Sequence, residues 1–111
     1  MKKNNILNKY NEKTFEDIKH IDDYGNEYWE ARELQVVLEY TQWRNFEKVI
    51  QKAIVSAENS DNSNEVWVAE VSKPIKTGKG KEEIIMDYKL SRYICYLIVQ
   101  NADTRKKVII S

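Results

Sequence analysis

The chain has 111 residues, 18 basic against 18 acidic side chains, 41% apolar residues and a single cysteine. This is one small domain with one core, and zero net charge argues against coating nucleic acid or membrane through an overall field. No apolar run approaches the roughly 20 residues of a membrane span, and residues 1–14 lack the apolar centre of a signal peptide, so a cytoplasmic location is expected.

Local patches survive this balance. Between Glu16 and Glu39 there are eight acids against Lys19 and Arg32, a net of −6, whereas Lys73 to Lys81 carries four lysines and no acid, a net of +4. Such segregation implies two surfaces of opposite sign that serve different partners.

Taken in order, residues 1–14 are rich in Lys and Asn and read as a flexible arm. The ordered domain is expected over 15–108, with 109–111 as a tail. Ile18 and His20 to Asp22 read as a strand, 23–26 as a turn in which Gly25 or Asn26 takes positive φ, and Glu27 to Trp29 as the return strand. Ala31, Leu34, Val37 and Leu38 then line one face of a short helix. Thr41 is the expected N-cap of a second helix starting near Gln42, which buries Trp43, Phe46, Val49, Ile50, Ala53, Ile54 and Ala57. Its opposite face carries Arg44, Asn45, Lys48, Gln51 and Lys52.

The polar run from Asn59 to Asn64 reads as a loop. Val66 to Val71 is a β-branched and aromatic strand, and Pro74 implies either an edge position or a break in pairing. Thr77 to Gly80 forms a tip, with Glu82 to Met86 returning, and the four lysines are expected to stand in water. Asp87 or Ser91 opens a third helix, where Leu90, Tyr93, Ile94, Leu97 and Ile98 recur at three and four; Asn101 to Asp103 ends it. The expected fold class is α+β, a small mixed domain of two β-hairpins packed on three amphipathic helices. Trp29, Leu34, Leu38, Trp43 and Phe46 are expected to meet the third helix in the core.

Two separated motifs carry a family resemblance. Tyr28-Trp29-x-Ala31-Arg32-Glu33-Leu34-Gln35 with Trp43-Arg44-Asn45-Phe46 is the first, and Asp87-Tyr88-Lys89-Leu90-Ser91-Arg92-Tyr93-x-Cys95-Tyr96-Leu97-Ile98-x-Gln100-Asn101 is the second. Together they resemble the N-terminal part of the DNA-damage-inducible protein D family and, more distantly, the Bro N-terminal domain of viral Bro proteins and phage antirepressors. The resemblance implies a Bro-N-like α+β domain, a cytoplasmic bacterial setting and a link to the DNA-damage (SOS) response. Members of that family continue into a longer helical C-terminal region, and carry a proline after the position of Asp103 where this chain has Thr104. A truncated product or N-terminal piece is therefore expected.

The residues point away from catalysis. His20 reads as an edge histidine in a polar hairpin, Cys95 as a small core residue without a disulfide or zinc-site partner, and the acids from Glu16 to Glu39 do not follow a calcium-loop spacing. Thr77-Gly78-Lys79-Gly80-Lys81 lacks the spacing of a phosphate-binding loop. No enzyme, cofactor or metal is expected. Arg92 is expected to pair with an acid such as Asp87 or Glu33.

Two functional readings remain. In the first, the domain is a regulatory module that binds DNA through Arg44, Asn45, Lys48, Gln51 and Lys52, with Lys73, Lys76, Lys79 and Lys81 adding phosphate contacts as a wing does. The ordinary alternative for these residues is a wet helix face shared with Glu47 and a hairpin kept soluble by lysines. In the second, Asp22, Asp23, Glu27 and Glu30 meet a basic face of a DNA-repair protein such as the recombinase filament.

Overall fold

The computed structural model describes residues 14–59 and 67–102. The proposed arm before Thr14, the loop at 60–66 and the tail beyond 102 lie outside the described residues. A helical turn at 14–17 precedes β1 (His20–Ile21) and β2 (Glu27–Glu30). Next come α1 (Ala31–Val37) and α2 (Trp43–Glu58), and finally β3 (Val68–Lys76), β4 (Glu82–Leu90) and α3 (Arg92–Asn101).

The two hairpins turn alike. In each, a glycine takes positive φ one residue before the return strand pairs, Gly25 at 84° and Gly80 at 77°. The closing bonds match: Asp22 N–H donates to Asn26 O at 2.9 Å and Thr77 N–H to Lys81 O at 2.8 Å. A type I turn followed by a left-handed residue produces this bulged closure, and glycine adopts it without steric cost.

The hairpins join edge to edge into one antiparallel sheet of order β1-β2-β4-β3. The seam is short, with Trp29 opposite Leu90 and Glu30 opposite Lys89. Beyond it β3 and β4 continue as a two-stranded ribbon paired from Val68↔Leu90 to Lys76↔Glu82. Pro74 therefore marks the sheet edge and does not break the pairing, since its missing donor falls on the outermost strand.

Several expected boundaries move. β4 runs to Leu90 instead of stopping at Met86, so Asp87 and Leu90 belong to the sheet, and Ser91 alone caps α3, its Oγ accepting from Ile94 N–H at 3.4 Å. Trp67 precedes β3, and Ile18 lies in a turn before a two-residue β1. The N-cap of α2 is Gln42, with extended backbone, while Thr41 is exposed and one residue too early. No side-chain oxygen caps that helix; its first residue, Trp43, docks against Tyr88, with ring centroids 6.0 Å apart.

The core lies between the inner sheet and the helices. Trp29 is fully buried, stacked on Phe15 at 4.4 Å, and its indole N–H donates to Phe15 O at 2.9 Å. Phe46, Val49, Ile50, Ala53 and Ala57 of α2 pack with Ile94, Cys95, Leu97 and Ile98 of α3. Trp43 departs from the expectation: it is only partly buried, at the rim, with the Arg32 guanidinium 3.8 Å above its ring.

Candidate nucleic-acid interface

Heptad-like spacing on α2 decides which side chains reach solvent. Phe46, Ile50, Ala53 and Ala57 bury one face, so Arg44, Asn45, Lys48, Gln51 and Lys52 are all exposed on the others. Asn45 spends one amide donor locally, on Gln42 Oε1 at 3.2 Å. Glu47, the single acid between Arg44 and Lys52, turns inward and accepts from the Tyr88 hydroxyl at 2.9 Å. Burial and then this bond push the Tyr88 phenol up to about 12. Removing Glu47 from the face leaves Arg44, Lys48 and Lys52 without an acid on their own stretch of helix.

The lysines of the ribbon separate into two groups. Lys76, Lys79 and Lys81 are exposed near the tip, where Lys76 faces Glu82 across the ladder. Lys73 is instead built into the fold, its ammonium 2.7 Å from Asp87 Oδ2 and 3.2 Å from Glu30 Oε1. Burial pulls the Lys73 pKa down, but Asp87 and Glu30 outweigh it and the net shift is upward. The expectation that all four lysines stand in water is corrected here, because a fully buried carboxylate on the paired strand needs a counter-ion.

Asp87 is the hub of this polar seam. Its Oδ1 accepts from Arg32 N–H at 3.0 Å and from Tyr88 N–H at 2.7 Å. The first of these satisfies a free amide in the first turn of α1, whose own N-cap residue, Glu30, makes no side-chain cap.

The four acids of the second surface are drawn into separate tasks. Asp22 Oδ1 accepts from the Tyr24 and Asn26 amides of the first turn. Glu27 takes a bidentate pair from Arg92, at 2.7 and 3.1 Å, and Arg92 Nη1 reaches Glu16 at 2.8 Å. Arg92 thus pairs with acids as expected, the partners being Glu27 and Glu16, because it opens α3 on the side of the sheet where β2 begins. Glu30 holds Lys73, and Asp23 is exposed. An open cleft of about 760 Å³ beside them is lined by Asp22, Glu27, Trp67, Arg92 and Tyr93, among others.

His20 lies on the edge strand β1, as expected, and is engaged there. Its ring stacks on Tyr28 at 5.2 Å, and its Nε2 meets the Glu33 carboxylate and lies 3.7 Å from Glu30 Oε1. Glu30 and Glu33 stand three apart across the strand-to-helix junction, a spacing visible in the sequence; the approach of His20 depends on β1 pairing with β2. Cys95 is fully buried, and burial pushes its thiol well up, which suits a core residue. No helix among the described residues is long and apolar enough to cross a membrane.

Fold and surface together define a small mixed α+β domain whose charged side chains divide between internal ion pairs and an exposed basic helix face. The family model for the BRO family N-terminal domain matches residues 17–111, and the chain belongs to that family. It is also 40% identical over 95 residues to DNA damage-inducible protein D of Escherichia coli (strain K12), an alignment covering 86% of this chain. The same alignment covers 35% of that protein, so the chain spans about a third of its relative's length. No solved structure matches.

Proposed function

We propose that this domain is a DNA-binding regulatory module of the DNA-damage response, with the exposed face of α2 as its principal contact. The observation that carries the reading is the unopposed run of Arg44, Lys48 and Lys52, flanked by Asn45 and Gln51, left when Glu47 turns to Tyr88. Guanidinium and ammonium groups fix a helix on phosphates, and side-chain amides pair with adenine edges in the major groove. Lys76, Lys79 and Lys81 at the ribbon tip add phosphate contacts, whereas Lys73 is committed to Asp87 and Glu30. The relative's name, DNA damage-inducible protein D, supports the physiological setting.

The acidic surface is the weaker candidate, since Asp22, Glu27 and Glu30 each hold an internal partner. Fluorescence anisotropy with single- and double-stranded DNA at two salt concentrations tests the choice. Lys48→Ala with Lys52→Ala is expected to weaken binding. On duplex DNA it should also flatten the log–log salt dependence by about 0.9 for each phosphate that is no longer neutralised. Equal binding by the double variant and the parent chain at low salt would overturn the α2 assignment. Absence of DNA binding by the parent chain, with capture of a repair protein abolished by Asp23→Lys, would favour the acidic surface instead.

A further inference from the structure

His20 on β1, Glu30 at the end of β2 and Glu33 in α1 present one ligating atom each within 4.8 Å of one another. The convergence is a product of topology. Register sets His20 opposite Tyr28, whose ring stacks on the imidazole, while β2 passes into α1 without a loop and so puts Glu30 and Glu33 on neighbouring positions. The seam brings carboxylates and cations together, with Lys89 opposite Glu30 and its ammonium 4.7 Å from the Tyr28 ring centroid. Glu30, Glu33 and Asp87 are three carboxylates, and Lys73 reaches the first and last of them, leaving Glu33 to His20.

An imidazole nitrogen with two carboxylate oxygens suits a divalent transition ion of the zinc or cobalt class, and suits calcium or magnesium poorly, because those prefer oxygen alone. Zinc–nitrogen and zinc–oxygen bonds of roughly 2.0–2.2 Å put the ligand atoms of a tetrahedral ion roughly 3.4 Å apart. His20 Nε2 stands 3.7 Å from Glu30 Oε1, near that spacing, whereas the hydrogen-bonded His20–Glu33 pair opens and any wider pair closes by roughly 1–1.5 Å to admit the ion. All three side chains are partly exposed, at 37%, 22% and 39%, which leaves a side open for water to complete the coordination. We infer that His20, Glu30 and Glu33 form a site for one divalent transition-metal ion, with Lys73 as its neighbour on Glu30. The inference is independent of the nucleic-acid reading.

The test uses the untagged chain, which has one histidine, so that any imidazole signal belongs to His20. Calorimetric titration with Zn²⁺ is expected to give one ion per chain, the His20 ring resonances are expected to shift, and excess Mg²⁺ should not displace the ion. Glu33→Gln and His20→Gln are each expected to weaken binding about ten-fold or more, as removing a ligand costs more than removing an outer partner, while Asp23→Asn leaves it unchanged. Unmoved His20 resonances, or a folded Glu33→Gln chain that binds Zn²⁺ like the parent, would overturn the site. If His20→Gln does not fold, the resonance shift in the parent chain and the Glu33→Gln affinity still decide the matter.

Discussion

At the scale of single residues, the two tryptophans near the sheet show how burial sorts similar side chains. Trp29 is enclosed, stacked and hydrogen-bonded, whereas Trp43 sits at the rim under Arg32. Truncating Trp29 leaves a cavity and removes one of the two hydrogen bonds on the Phe15 carbonyl, which keeps Ile18 N–H, so Trp29→Ala is expected to cost about 3–5 kcal/mol. Trp43→Ala removes a partly exposed ring and its cation–π pairing with Arg32, and about 1–3 kcal/mol is expected. Urea unfolding followed by circular dichroism compares the two. A larger effect at Trp43 would mean that the ring holds α2 on the sheet more than the enclosed one holds the core. That both rings belong to the fold was legible from their place in apolar runs; which one is enclosed was not, since it depends on Phe15 folding across β2.

At the scale of elements, the joint between α1 and α2 is a sharp one. Glu39 has φ of 62°, Tyr40 N–H donates to Gln35 O at 3.1 Å and Glu39 N–H to Val36 O at 3.0 Å. This is the Schellman pattern of bonds, with a glutamate where glycine is favoured. A side chain in the left-handed region costs about 1–2 kcal/mol, so Glu39→Gly is expected to stabilise the domain by about 1 kcal/mol after the added freedom of the unfolded chain is subtracted. A lower thermal midpoint in that variant would show that contacts of the Glu39 side chain outweigh the strain. The break between the helices was readable from the apolar spacing, but the left-handed residue was not, because nothing at Glu39 announces it. β4 gives the opposite case. Met86, Tyr88 and Leu90 alternate with Asp87 and Lys89 at strand period, yet Leu90, Tyr93, Ile94 and Leu97 also fit a helix. Pairing with both β2 and β3 resolves the overlap in favour of the strand.

At the scale of the whole molecule, Arg92 ties the first turn, the sheet and the last helix together. It bridges Glu16 and Glu27, and its guanidinium lies 5.0 Å from the Trp29 ring centroid. The Arg92 hydrogen bonds hold the Glu16 and Glu27 carboxyls below the usual range, against the upward pull of burial. Because the folded pKa values are lowered, the stabilisation is fully present above the unfolded value of about 4.3 and is lost as pH falls through the folded ones. The groups are about a third exposed, at 30–36%, so solvent screening reduces the effect. Arg92→Met is expected to be destabilised more at neutral pH than below pH ~3, where the parent has also lost the pair. Urea midpoints at the two pH values check this. An equal effect at both would assign the role of Arg92 to packing over Phe15 and Trp29.

By itself, the sequence determined the class of fold, the order of hairpins and helices and the outward set on α2, because strand alternation, turn glycines and helical spacing are local properties of the chain. Its two ordered motifs also pointed to the family. Tertiary structure decided what the charges do. Whether Lys73 meets water or Asp87, whether Arg92 pairs with Asp87 or with Glu16 and Glu27, and whether Glu47 dilutes the α2 face or turns to Tyr88 depend on partners 14 to 76 residues away. A charge finds its partner through space: the β3–β4 ladder brings Lys73 to Asp87, the packing of α2 beside β4 brings Glu47 to Tyr88, and Arg92 at the start of α3 reaches Glu27 on β2.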